Sequence, residues 1–157
     1  EFEDGVRMFG YLQNNKLIGV IGVQEIKDVV LIRHAYTLTA YQGKGTGSAY
    51  AKLANKASHY ALVGVAAVIQ IDGSGTCTKA RIGVTGAGPF AKRSRRAERI
   101  LEGKELTDSV VRRAAERVGV EYQGMFNEDI HASAEYREAM AKVIGARAIN
   151  TAVERAC

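Results

Sequence analysis

The chain has 157 residues, a formal net charge of +5 and 46% apolar residues with 25% charged ones. That is a globular composition, not a disordered one, and the length fits one domain or two very small ones. No apolar run reaches the about 18 residues a membrane helix needs. Two cysteines, Cys77 and Cys157, make neither a disulfide framework nor a metal cluster. The acidic start Glu1-Phe2-Glu3-Asp4 is unlike a signal peptide, so the expected location is a reducing cytoplasm.

In chain order, residues 6–13 read as a strand closing on the turn pair Asn14-Asn15, residues 16–26 as a second and residues 29–37 as a third. Val, Ile and Tyr suit the pleated surface, and the Asn pair suits a hairpin. The result is an antiparallel three-strand meander that enters the run Gln42-Gly43-Lys44-Gly45-Thr46-Gly47. Glycines there let the backbone approach a ligand closely, and a following helix would aim amide groups at one anion. Tyr50, Leu53, Ala54 and Ala57 stand at helical spacing, so local propensity predicts a helix over Ser48–Ser58. A solvated turn between domains is the plain alternative.

Residues 63–70 are almost all apolar and predict a strand buried on both faces. Asp72-Gly73 is turn chemistry, and Ile82 and Val84 alternate on the return strand. A short helix runs from Ser94 to Leu101 and is closed by Gly103. Thr107 caps the next, with Val110, Val111, Ala114 and Val118 on one face and Gly119 at its end. Ser133 caps the last, whose predicted core stripe is Tyr136, Met140, Val143, Ile144, Ala148, Ala152 and Val153. The fold class is α+β: the meander, then a strand hairpin layer packed by three C-terminal helices.

Two resemblances organise this pattern. Leu17–Gly22, Ile32–Leu38 and above all Tyr41-Gln42-Gly43-Lys44-Gly45-Thr46-Gly47 resemble the GNAT family of N-acetyltransferases. The resemblance implies acetyl-CoA, its pyrophosphate held by Gln42, Gly43, Lys44, Gly45 and Gly47 and its pantetheine arm along Leu38. It covers residues 1–47 and lacks the second wall of the cleft and the usual general-acid tyrosine, so no turnover is expected.

From residue 48 onward the chain resembles the C-terminal domain of the FAD-binding medium subunit of molybdenum hydroxylases, of the carbon monoxide dehydrogenase and xanthine dehydrogenase type. The carriers are Gly47-Ser48-Ala49-Tyr50, Ala57–Ala67, Thr85-Gly86-Ala87-Gly88-Pro89, Arg96-Ala97-Glu98, Leu101–Lys104, Asp129–Arg137 and Arg147-Ala148-Ile149. This implies FAD, with His59 and Tyr60 beside the flavin, and molybdopterin and iron–sulfur subunits as partners. It also implies that the domain catalyses nothing alone and does not retain FAD by itself. It makes residues 48–53 extended, with a turn or short helix only from about Asn55 to Leu62, and that geometry is the one expected here. Together the two resemblances describe a hybrid chain, divided into 1–47 and 48–157.

Other chemistry is sparse. His34, His59 and His131 have no second ligand at metal spacing. Ser133-Ala134-Glu135-Tyr136-Arg137 reads as a helix cap with an internal ion pair. Cys77 has only Lys79 as a basic neighbour and is not expected to react. Residues 48–157 hold 17 basic and 12 acidic groups, against five of each before them. The densest run is Lys92-Arg93-Ser94-Arg95-Arg96, with Arg99 beyond; it reads as a solvated helix start or a basic face docking on a partner subunit. No aromatic residue interleaves the arginines, so nucleic acid is not expected.

Overall fold

The computed structural model describes the backbone of residues 6–13, 16–26 and 29–37, and backbone and side chains of residues 45–157. The chain divides into two compact units, Glu1–Gln42 and Gly43–Cys157.

In the first unit, β1 (Val6–Gln13), β2 (Lys16–Ile26) and β3 (Val29–Thr37) form an antiparallel sheet in sequence order. The β-branched runs became strands at the expected positions. The turn residues Asn14, Asn15, Lys27 and Asp28 lie outside the described residues.

The second unit is an antiparallel sheet in the order β4-β5-β6-β7 with helices on one face. Its strands are β4 (Thr46–Ala54), β5 (Ala61–Ile71), β6 (Cys77–Thr85) and the two-residue β7 (Lys92–Arg93). The hairpin layer expected from the sequence is its centre, flanked by β4 and β7. The helical spacing of Tyr50, Leu53, Ala54 and Ala57 does not produce a helix: residues 46–54 are a strand, and Asn55 opens a turn. Propensity is a weak prior, and pairing overrides it here. Each of the nine β4 residues has a partner on β5, from Thr46↔Gln70 to Ala54↔Ala61.

Alternation along the strands decides which face meets the helices. Gly47, Ala49, Ala51 and Leu53 point inward from β4, alongside Val63, Val65, Ala67 and Ile69 of β5 and Ala80, Ile82 and Val84 of β6. β5 is therefore buried fully on one face rather than both. Its outward-facing Val68 is 40% exposed, and Tyr50 lies across Gly64 on that same outer face.

Helix α1 (Arg95–Leu101) packs on β6, α2 (Asp108–Ala115) packs on α1, and α3 (Ala134–Ala156) crosses β4 and β5. Gly103 follows α1 at φ +74°, a conformation that costs a Cβ-bearing residue more, and its N–H donates to the Cys77 carbonyl at 2.7 Å. α3 approaches the sheet so closely that a Cβ on Gly47 would lie 1.9 Å from the Ala152 carbonyl oxygen. This approach corrects the predicted stripe. The buried face is Arg137, Ala141, Ile144, Gly145, Ala148, Ile149, Ala152 and Ala156, whereas Tyr136 and Val143 are exposed. The small residues Ala141, Gly145, Ala148, Ala152 and Ala156 allow this close approach, with Ile144 and Ile149 packed beside them.

Candidate functional site: the sheet end around Arg137

One end of the second sheet gathers three loops, at the start of β5, after β6 and before α3. The first is built on Asn55. Its N–H donates to the Tyr60 carbonyl at 2.8 Å, and its side-chain oxygen accepts from Ala57 N–H at 2.8 Å and Ser58 N–H at 3.2 Å. Asn is suited to such a turn because its amide replaces backbone partners. His59 closes the loop at φ +58°, the one non-glycine residue with positive φ among the described residues. Its N–H donates to Asn55 O at 2.9 Å, and Lys52 Nζ donates to its carbonyl at 3.1 Å. The loop backbone is thus tied down while the side chains of His59 and Tyr60 stand exposed.

The second and third loops are fixed by Arg137, in the first turn of α3 and only 3% exposed. Nη1 donates to Leu62 O at 2.7 Å and Gly86 O at 3.1 Å, and Nη2 to Asp129 Oδ2 at 2.6 Å. Asp129 Oδ1 accepts the N–H groups of His131 and Ala132 at 2.9 and 3.1 Å. These bonds, that from His131 first, hold the Asp129 carboxyl below the usual carboxylate range. A single guanidinium therefore ties the starts of β5 and α3 to the end of β6. The turn it anchors presents Ile130 almost fully to solvent, with His131 beside it.

Beyond Gly86, the Tyr122 ring sits under Gly88, where an added Cβ would be 2.2 Å from it. Its hydroxyl lies 2.7 Å from both the Val84 and Phe90 carbonyls and accepts from Lys92 N–H at 2.9 Å. Burial pushes it up to about 12. Lys92 stacks over the Phe90 and Tyr122 rings with its ammonium on the Glu121 carbonyl. Tyr60, Phe90, Met125 and Ile130 are among the exposed apolar side chains of this sheet end.

Of the residues singled out in the sequence, His59 and Tyr60 are neighbours on this end. Leu38, Gln42, Gly43 and Lys44 lie outside the described residues. Gly45 and Gly47 belong to the opposite end of the sheet. The Gly45 N–H donates to the Ala156 carbonyl at 3.0 Å, closing the last turn of α3, and Gly47 pairs with Ile69. The backbone of both is spent on the fold, and neither amide begins a helix.

Ser133 caps α3 as expected, accepting from Tyr136 N–H at 3.2 Å, but the ion pair of Arg137 is with Asp129, outside the run Ser133–Arg137. The sequence did carry a signal for a buried arginine. Arg137 stands four residues before Ala141 and seven before Ile144, in line with the buried stripe. Cys77 is buried, and burial pushes its thiol up, consistent with an inert residue.

No group of His, Cys, Asp or Glu among the described residues is arranged to hold a metal. Among them, no serine, threonine or cysteine forms a hydrogen-bonded pair with a histidine. This end of the sheet can present one flank to a flat aromatic group. It does not by itself fit the phosphates of FAD. No helix among the described residues is long and apolar enough to cross a membrane.

Comparison with known proteins agrees with this architecture. Residues 48–152 match the family model of the CO dehydrogenase flavoprotein C-terminal domain. The alpha subunit of the 6-hydroxypseudooxynicotine dehydrogenase complex of Paenarthrobacter nicotinovorans is 32% identical over 113 residues, 71% of this chain and 37% of that protein. The carbon monoxide dehydrogenase medium chain of Hydrogenophaga pseudoflava is 35% identical over 112 residues, 71% of this chain and 38% of the relative. Among solved structures, carbon monoxide dehydrogenase from Hydrogenophaga pseudoflava lacking the Mo-pyranopterin moiety superposes with a TM-score of 0.62 at 37% identity, over 71% of this chain and 38% of that one. Quinoline 2-oxidoreductase from Pseudomonas putida 86 gives 0.63 at 31% identity, over 81% of this chain and 42% of the other. The chain spans less than two fifths of the length of these curated relatives. The family match begins at residue 48, so the acetyltransferase likeness of residues 1–47 stays a resemblance. With its sheet, helices and family match over well more than half its length, the chain belongs to the CO dehydrogenase flavoprotein C-terminal domain family.

Proposed function

We propose that residues 48–157 form the non-catalytic C-terminal flank of the FAD-binding subunit of a multi-subunit, cytoplasmic molybdenum hydroxylase, with molybdopterin and iron–sulfur subunits as its partners. Its work is to position the flavin for electron transfer, with His59 and Tyr60 at the flavin side. The observation that carries this is the arrangement at Arg137. One buried guanidinium fixes the start of β5 just beyond His59 and Tyr60, leaving those side chains free to meet a ligand. Preorganised loops of this kind orient a cofactor that other domains bind. The acetyl-CoA alternative has no such support, because the Gly45 amide is spent on α3.

The test is complementation in trans. The purified chain alone should be colourless. Mixed with the FAD-loaded N-terminal portion of the Hydrogenophaga pseudoflava medium chain, it should change the flavin absorption and fluorescence, and H59A/Y60A should weaken that change. A mixture whose flavin spectrum is the sum of its parts would refute the reading.

A further inference from the structure

Of the basic run Lys92–Arg96, only Lys92 is used at the sheet end, and the fold sorts the remaining charges. Lys92 is caged by Phe90 and Tyr122, and Arg93 pairs with the buried Glu98. Arg95, Arg96 and Arg99 remain on the exposed side of α1. On α2, a turn of about 100° per residue puts Arg113 on one flank and Asp108 and Arg112 on the other, with Glu116 capping the helix and Arg117 exposed in the turn that follows. The groove between α2 and α3 is lined by Asp108, Arg112 and Glu116, so that flank faces α3 and the flank of Arg113 faces α1. Ser94, just before α1, bonds the Arg117 carbonyl at 3.2 Å, and the Arg96 N–H donates to Glu121 at 3.0 Å, so the two helices meet at this corner.

Three nearby carboxylates are engaged by the fold, whereas Asp108 and Glu116 stand exposed. Glu98 accepts from Ile82 N–H, Glu102 from Ala80 N–H and Arg81, and Glu121 from Ser94 and the Arg96 N–H. The ion pairs among the described residues include none of Arg95, Arg96, Arg99, Arg113 and Arg117. Arg95, Arg96 and Arg99 of α1, Arg113 of α2 and Arg117 just after it are thus five exposed guanidinium groups carried by this helix pair, where mutual repulsion disfavours the isolated unit.

We infer that this α1–α2 face docks on an acidic surface of another polypeptide. Charge complementarity names the occupant. The patch is arginine throughout, and a guanidinium meets a carboxylate through two parallel N–H donors. Neither helix carries an aromatic residue to stack a nucleic-acid base. A second copy would bring the same five cations against themselves.

The experiment uses the full chain with fluorescent poly-L-glutamate and, separately, a short DNA duplex, by anisotropy at low salt. R96E/R113E/R117E should bind poly-L-glutamate about tenfold more weakly than the parent. The charge-matched variant K56E/K79E/R147E, on other exposed surfaces, should bind within about twofold of the parent. Far-ultraviolet circular dichroism checks that both variants fold. Equal losses in the two variants would make this a net-charge effect and overturn the inference. Tighter binding of the duplex than of poly-L-glutamate, lost in the first variant, would overturn it in favour of nucleic acid. Neither probe involves flavin, so the outcome is separable from the complementation test.

Discussion

Replacing Arg137 by methionine tests whether one side chain holds the sheet end together. Methionine keeps most of the volume, so the loss is in hydrogen bonding rather than cavity formation. Nη1 serves two carbonyls, Leu62 and Gly86, and Nη2 meets Asp129. Hydrogen bonds from a charged donor are worth roughly 1.5–3 kcal/mol each, and carbonyls left without a donor add a desolvation cost. Three such bonds would sum to about 4.5–9 kcal/mol, but bonds sharing one guanidinium are not additive, and removing one partner of a buried pair costs about 3–5 kcal/mol, which is the loss expected here. A domain of this size has roughly 5–15 kcal/mol in all. At roughly 4 °C per kcal/mol, Tm should fall by about 15 °C. Amide resonances of Leu62, Gly86 and His131 should shift or broaden together. D129N should melt above R137M, since Asp129 is partly solvated and an amide oxygen still accepts from His131 and Ala132. An R137M protein that melts within about 3 °C of the parent, or melts early with those amides unmoved, would refute the reasoning.

Two further outcomes follow from the same contacts. G47A should destabilise by about 3 kcal/mol in urea unfolding, because the new methyl meets the α3 backbone at Ala152 and Ala156 rather than a movable side chain; a loss below about 1 kcal/mol would mean that α3 can retreat from β4. Stability should also fall at both ends of the pH scale. Asp72, Glu102, Asp129 and Glu135 all lie below their ordinary carboxylate values when folded, so their contribution is complete above about pH 5 and is lost as pH drops through the folded values. Tyr122 runs the other way. Its folded value of about 12 exceeds the ordinary 10.0 of a tyrosine, so its contribution is complete below pH 10 and lost as pH rises toward 12, and Y122F should flatten that alkaline limb.

Much of this protein was legible without coordinates. The strands of the meander, the β5–β6 hairpin, all three helices and the caps at Ser133 and Gly103 follow from local chemistry: β-branched runs, turn residues and apolar spacing. The sheet end was half legible. His59 and Tyr60 came from family likeness, and Arg137 could have been read from its place in the α3 stripe. Two things were decided by tertiary structure. Residues 46–54 carry both a helical and an alternating pattern; local chemistry left the choice open, family likeness favoured the extended form for 48–53, and pairing of every position with β5 is the physical reason they are a strand. The glycines before that strand have a backbone suited to anion binding in isolation, and only the arrival of α3 turned the Gly45 amide to the Ala156 carbonyl. A sequence records what each residue can do with its near neighbours. Which of those options is used depends on partners 7 to 24 residues away on β5 and 111 residues away at the end of α3, and pairing across such distances leaves no periodic trace.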